Sequence, residues 1–216
     1  MTRKELAKTA HDAICRWAQN IDKIVIAIDG YTGVGKTTLL TNLTRLNPDI
    51  IPIHRDDFLF ARRVIDKKLA KADDRSVIFE REVCDDQKMV RFVLAFRNGE
   101  RTRTLDVRDP ITGEITATKT FDLSKPILVV EGVFMFHPEL PLNKLWDKRI
   151  YLEGDIAKID ARRIAREKKR WGNDYFPETH PDSYFRQVTL GLKRYIGLYK
   201  PEKAADLVLY ADSVDK

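Results

Sequence analysis

Cysteine is nearly absent from the 216-residue sequence. Cys15 and Cys84 lie far apart and belong to no Cys-x-x-Cys pair, which excludes a disulfide framework and a cysteine zinc site and fits a reducing compartment. The four histidines, His11, His54, His137 and His180, are equally scattered. No two of them stand at i, i+4 around a carboxylate, as a helical zinc site requires. Long apolar runs are missing as well: the longest aliphatic stretch, Ile24 to Ile28, falls far short of the roughly 20 residues of a membrane span. The N-terminus carries Arg3, Lys4 and Glu5 and develops no apolar run with a small-residue cleavage site, so no secretory signal peptide is read there. These absences predict a soluble cytoplasmic protein with no membrane partner.

Core-forming residues and charge are plentiful. Hydrophobic residues make up 43% of the chain and charged residues 33%, the latter above the about 25% of an average globular protein. A disordered or fibrous chain is excluded. The length fits one domain, since domains run to ~100–200 residues. No internal repeat, low-complexity tract or linker divides the chain, so residues 1–216 are read as a single unit. The net charge of +6 and the pI near 9.2 permit an anionic ligand or nucleic acid. Much of that charge is local, because Arg162 to Arg170 (RRIAREKKR) holds six basic residues and one acid.

Periodicity supplies the architecture. Leu6, Ala10, Ala13, Ile14, Trp17 and Ile21 recur at three- and four-residue steps, predicting an amphipathic N-terminal helix over residues 1–22. Its Trp17 and Ile21 can pack on a sheet or form a homo-oligomer contact. Short apolar runs follow at Ile24–Ile28, Ile50–Ile53, Ile127–Val130, Ile150–Leu152 and Leu207–Leu209. They read as about five strands buried on both faces. Helical patterns lie between them, notably Thr37–Leu46 and Ile156–Lys169, and this alternation predicts a doubly wound parallel α/β sheet with helices on both faces. Residues 102–121 differ: Leu105, Val107, Ile115 and Ala117 alternate with polar residues around Asp109-Pro110-Ile111-Thr112-Gly113, which predicts a β-hairpin insertion beside the sheet.

The most informative segment is Gly30-Tyr31-Thr32-Gly33-Val34-Gly35-Lys36-Thr37, a full match to G-x-x-x-x-G-K-[ST] between a strand and a helix. Gly30, Gly33, Val34, Gly35 and Thr38 belong to a loop whose backbone N–H groups turn toward a phosphate, reinforced by the helix N-terminus. Lys36 is expected on the β- and γ-phosphates of ATP, and the Thr37 hydroxyl on Mg²⁺. No Asn-Lys-x-Asp appears, which argues against a GTPase, and the signature segments of larger transport and mechanical ATPases are missing. The small-molecule kinase class remains.

Two further carboxylate positions support it. The run Ile50–Ile53 leads into His54-Arg55-Asp56-Asp57-Phe58, and loops at the carboxyl ends of neighbouring strands converge on the ligand crevice. A carboxylate there can take the proton of an acceptor hydroxyl and help hold Mg²⁺, but Asp56 and Asp57 could equally cap the next helix. The run Ile127–Val130 ends in Glu131, where a Mg²⁺-organising or acceptor-binding carboxylate would sit.

Together GYTGVGKTT, RDDF, VVEGVFMF, DARRIARE and YKP followed by ADLVL resemble the uridine kinase and phosphoribulokinase family of P-loop kinases, with the nicotinamide riboside kinases as close relatives. The resemblance runs from about Ile24 to Leu209. It implies a P-loop NTPase-type fold and ATP- and Mg²⁺-dependent transfer of the γ-phosphoryl group to a hydroxyl of a small, nucleoside-like acceptor. Asp56 would be the general base and a metal-side carboxylate, Asp57 and Glu131 would meet the acceptor, and Thr37, Asp56 and Glu131 would organise Mg²⁺. The stretch 156–180 would be a lid in which Arg162, Arg166 and Arg170, four residues apart, share one helix face and close on the phosphates, with Arg166 catalytic. Residues 60–100 do not reproduce the pyrimidine-reading residues of uridine kinases, which leaves open a pantothenate-like, sugar-phosphate or nucleoside-monophosphate acceptor. A nucleotide-dependent regulatory or nucleic-acid-binding role is disfavoured, because no aromatic stacking pattern accompanies the basic segment.

Overall fold

A computed structural model describes residues 1–211, apart from the side chain of Asp174. The chain opens with α1 (Arg3–Trp17), capped by Thr2, whose side chain accepts from the Glu5 N–H while Glu5 returns a bond to the Thr2 N–H. The helix is shorter than its periodicity implied. Trp17 packs against the core, and Ile21 lies beyond the helix and is exposed.

Five strands form the parallel sheet: β1 (Ile24–Gly30), β2 (Ile50–His54), β5 (Ile127–Glu131), β6 (Lys148–Gly154) and β7 (Leu207–Ala211), in the spatial order β2-β5-β1-β6-β7. All five predicted runs are strands. The middle strand β1 and its neighbour β5 are buried along their whole length. Side chains alternate across them: Ile24, Ile26 and Ile28 enter one core with Ile127 and Val129, and Val25 and Ala27 enter the other with Leu128 and Val130. The edge strand β7 departs from the expectation, since only Leu209 of its five residues is buried.

The first core is covered by α1, α2 (Lys36–Leu46) and α7 (Tyr184–Tyr199), the last through Val188, Leu192 and Tyr195. The second is covered by α5 (Asp86–Arg97) and by the hairpin of β3 (Thr102–Arg108) and β4 (Ile115–Asp122). Leu105 and Val107 point inward as alternation predicted, but Ile115 is exposed, so the hairpin covers the core mainly through β3. The charge-rich stretch 60–100, for which the sequence implied no element, holds α3 (Arg62–Leu69), α4 (Arg75–Arg81) and α5. Met89, Phe92, Val93 and Phe96 of α5 follow the helical three- and four-residue steps and are fully buried. The predicted lid region begins as α6 (Ile156–Trp171).

Phe92 meets Phe58 and Phe121 edge-on, with ring centroids 5.9 and 5.3 Å apart, and so joins α5 and the hairpin to the turn that follows β2. Phe92→Ala is expected to lower unfolding free energy by about 3–5 kcal/mol. Leu94→Ala, on the exposed side of the same helix, should stay within about 0.5 kcal/mol of wild type. Urea titrations monitored by circular dichroism compare the two.

Candidate active site

The phosphate-binding loop connects the end of β1 to the start of α2. Gly30 has φ 151°, and a Cβ there would stand 2.3 Å from the carbonyl oxygen of Leu152 on β6, so only glycine lets the loop leave the sheet at this point. Gly35 has φ 116° and forms the N-cap of α2 without a side chain of its own, leaving the first N–H groups of that helix open to an incoming anion. Lys36 is buried. Its ammonium donates to the carbonyls of Gly30, at 2.8 Å, and Tyr31, at 3.1 Å. Burial pulls the Lys36 pKa below its ordinary value, against the opposing charges of Glu131, Asp29 and Asp56.

The register of the sheet sets Glu131 at the end of β5 directly beside His54 at the end of β2. One oxygen of Glu131 accepts from the Thr37 hydroxyl at 2.8 Å and is 2.7 Å from His54 Nδ1. Burial pushes the Glu131 pKa up, but the bonds from His54 and Thr37 and the charge of Lys36 outweigh it and hold the carboxyl below its ordinary range. The same contact raises the pKa of His54.

A short 3-10 turn, Arg55–Phe58, carries both candidate aspartates. It is held from behind by Arg55, which is buried and donates to the Val133 carbonyl at 2.5 Å and to Asp86 at 3.1 Å. The turn separates the aspartates. Asp56 opens into the cleft, where loss of water and the neighbouring Glu131 raise its pKa against the pull of Lys36. Asp57 is buried, takes an ion pair from Lys119 of β4 at 2.5 Å and leaves its second oxygen without a protein partner. Neither side chain caps a helix.

Lys36, Thr37, Arg55, Asp56, Asp57 and Glu131 line one cleft of about 1250 Å³ together with Gly33, Gly35, Thr38, Arg166 and Arg170. Arg162 and Val34 do not line it. Arg162 turns instead to a recess of about 300 Å³ on the other side of the loop, beside Arg3, Val34, Asn42 and Leu152, and Arg166 reaches both spaces. The three arginines expected on one helix face thus open onto two adjoining spaces. With 3.6 residues per turn, each four-residue step rotates a side chain by about 40°, and two steps swing Arg162 away from Arg170.

Sequence reasoning missed three residues. Arg163, between the predicted lid arginines, is buried: it donates to Asp160 at 2.8 Å and Thr189 at 3.3 Å, and its guanidinium lies 4.3 Å from the Phe185 ring centre and 5.4 Å from that of Tyr31. Tyr31, in the loop itself, donates to Asp160 at 3.1 Å, so α6 is fastened to both the loop and α7. The signal was its four-residue spacing from the buried Ile159. Asp29, the second missed residue, is the acid within the apolar run of β1 and accepts from the N–H of Gly30 at 2.6 Å. It also accepts from Tyr195, the third, at 2.7 Å. Burial raises the pKa of Asp29 even with these donors.

The donor set fits a hard divalent cation. Thr37, Glu131 and Asp56 offer a hydroxyl and two carboxylates, all oxygen ligands of the kind Mg²⁺ accepts. No cluster of three His, Cys, Asp or Glu side chains that could hold a metal occurs among the described residues. An ion here would share its coordination with water and phosphate oxygens, as Mg²⁺ commonly does.

The model of the Phosphoribulokinase / Uridine kinase family matches residues 25–208. Human nicotinamide riboside kinase 1 is 26% identical over 145 residues, covering 66% of this chain and 64% of that relative. The uridine kinase of Borreliella burgdorferi is 25% identical over 190 residues, covering 86% and 85%. Among solved structures, a possible uridine kinase from Bacillus stearothermophilus superposes with a TM-score of 0.65 at 19% identity, covering 94% of this chain and 98% of the other. Phosphoribulokinase from Rhodobacter spheroides gives 0.59 at 16% identity, covering 90% and 72%. These two likenesses show a shared P-loop NTPase-type fold. With the loop, the strand-end carboxylates and a family match that takes in nearly the whole chain, the protein belongs to the phosphoribulokinase / uridine kinase family.

Proposed function

We propose that the protein is an ATP-dependent kinase that transfers the γ-phosphoryl group to a hydroxyl of a small molecule. The observation that carries this reading is that Asp56 opens into the same cleft as Lys36, Thr37 and Glu131, with an elevated pKa and no hydrogen-bonding protein partner among the described residues. A carboxylate so placed is free to receive a proton from an acceptor hydroxyl.

In this mechanism the loop N–H groups and Lys36 cradle the phosphates, and Lys36 exchanges the Gly30 and Tyr31 carbonyls for phosphate oxygens. Thr37 and Glu131 would hold Mg²⁺, which when bound would supply positive charge against the phosphate oxygens. His54 keeps Glu131 ionised and oriented for that task. Asp56 accepts the acceptor proton as the new oxygen–phosphorus bond forms, the bond to the β-phosphate oxygen breaks and ADP leaves. Arg166 and Arg170 offset the charge on the transferred group from the far wall. The names of the relatives put ribosyl compounds first among acceptors to test.

A mass-spectrometric transfer screen with Mg·ATP and a panel of nucleosides, vitamins and sugar phosphates tests the reading, with Lys36→Ala as the blank. A phosphorylated product absent from the blank supports it, and no product from any acceptor contradicts it. Asp56→Asn should lower kcat by about 10²- to 10⁴-fold with nucleotide affinity nearly intact. In the wild type, activity should fall on the acid side with a midpoint above the ordinary aspartate value of 3.8.

The His54–Glu131 pair predicts a stability profile. His54 has a raised pKa, so its contribution is full below its ordinary 6.5 and is lost as pH rises through the folded value. Glu131 has a lowered pKa, so its contribution is present above its ordinary 4.5 and is lost as pH falls through the folded value. The stability gap between wild type and His54→Gln should be widest between 4.5 and 6.5 and close on the alkaline side, as read from urea midpoints across pH.

A further inference from the structure

The cleft has two halves with different charge arrangements. On the phosphate side, Lys36 bonds to loop carbonyls and Arg166 lies 3.5 Å from Glu167, while Arg170 rests against the Trp171 ring at 5.2 Å with no ion pair among the described residues. On the hairpin side, Lys119 is neutralised by Asp57 and Arg55 by Asp86. Two arginines that also line the cleft, Arg62 and Arg108, have neither a side-chain hydrogen bond nor an ion pair among the described residues.

Their placement is built by the hairpin turn. The Arg62 N–H donates to the Gly113 carbonyl at 2.8 Å, and its side chain lies over that glycine so closely that a Cβ there would meet it at 2.9 Å. Arg108 precedes the same turn, at a register shift between Val107 and Arg108. Such a bulge re-aims the side chain that carries it. Acids near the turn are already engaged. Asp109 accepts from the N–H groups of Ile111, at 2.9 Å, and Thr112, at 2.8 Å, and Glu114 pairs with Arg63 at 3.4 Å. Two guanidinium groups therefore flank one turn, Arg62 exposed and Arg108 half-buried, with no ion pair to either among the described residues. A partly desolvated, unpaired guanidinium is costly, and its fork of donors matches a planar or tetrahedral oxyanion.

We propose that the phosphoryl acceptor carries an anionic group, a phosphate or a carboxylate, bound by Arg62 and Arg108 while its hydroxyl faces Asp56. This rests on the kinase reading above and narrows it: an uncharged nucleoside leaves both arginines unmatched. Phe79 and Tyr184, in edge-on contact with centroids 5.2 Å apart, wall the remainder of the acceptor half.

The test uses matched acceptors that differ in the anion: ribose against ribose 5-phosphate, uridine against uridine monophosphate, and glycerol against glycerate. Product formation with Mg·ATP is read for wild type, Arg62→Gln, Arg108→Gln and Arg108→Lys. The expected result is turnover of an anionic member at least about 10-fold above its neutral counterpart, with KM for that acceptor raised about 10- to 100-fold in each Gln variant, the range for hydrogen bonds to charged groups. Arg108→Lys should recover part of the loss. Phosphate-bearing and carboxylate-bearing winners separate the two sources of the anion. Transfer to a neutral acceptor, insensitive to both Gln variants, would overturn the proposal and leave the kinase reading standing. Weakened nucleotide binding with acceptor KM unchanged would overturn it too, by assigning the arginines to ATP. If no acceptor is phosphorylated the kinase reading fails, and the anion site is then judged by binding alone. Inorganic phosphate titrated onto protein saturated with Mg²⁺ and a non-hydrolysable ATP analogue should raise Tm in wild type and not in Arg62→Gln/Arg108→Gln. No rise in wild type overturns the site.

Discussion

Lys36 stands at the mouth of the loop with its ammonium out of bulk water, bonded to two backbone carbonyls. Removing such a charge from water costs several kcal/mol after relaxation, so the surroundings must supply negative charge. They do so from three strand ends at once: Asp29 from β1, Glu131 from β5 and Asp56 just beyond β2 all act on it. A parallel sheet is suited to this, since its strands release their chains on the same edge and bring residues remote in sequence to one point. The order β2-β5-β1 places the three strands side by side, and the short apolar runs that build the sheet are also what assembles the charges. Fold and electrostatics here are one requirement.

Each acid is then differentiated by its neighbours. Asp29 is closed in by Tyr195 and by the N–H groups of Gly30 and Phe136, and so serves the loop as an internal support. Glu131 receives two donors on one oxygen and stays ionised. Asp57 is matched by Lys119 from the hairpin. Only Asp56 keeps its face open to the cleft without a hydrogen-bonding protein partner among the described residues. Asp29, Asp56 and Glu131 thus hold different protonation tendencies because burial and donor count differ, the condition under which one of them can exchange a proton while the others remain fixed.

The parts legible in sequence were those whose signal is local. Gly30 to Thr37 carries its own motif, and the runs from Ile24, Ile50, Ile127, Ile150 and Leu207 announce strands by composition alone. The hairpin was marked by alternation around Asp109 to Gly113. Helices α3 to α5 were not read because their charged faces dominate the composition of 60–100, although Met89, Phe92, Val93 and Phe96 have helical spacing. Arg163 was hidden for a different reason. Within RRIAREKKR nothing distinguishes it from its neighbours except its rotation about the helix, and the aromatic rings it meets come from residues more than 20 positions away. The fate of Asp57 depended on Lys119, 62 residues on, and no short-range pattern encodes that pairing.

The same rotation explains why one helix can be anchored on one side and open to the cleft on another. Arg163 enters the space between Tyr31 and Phe185 and bonds to Asp160 and Thr189, so α6 cannot slide without breaking contacts to the loop and to α7 together. One and two turns further on, Arg166 and Arg170 project from an exposed surface, Arg166 onto the cleft and its flanking recess and Arg170 onto the cleft. In the proposed lid, an anchored arginine at the base and exposed ones beyond it would set the pivot by packing and the reach by side-chain length. Tyr31 and Arg163 hold the loop and α6 together through Asp160, whatever the exposed arginines beyond them do. The basic run that dominates the charge of this chain divides, residue by residue, into structure and function according to the 100° each position turns about the helix axis.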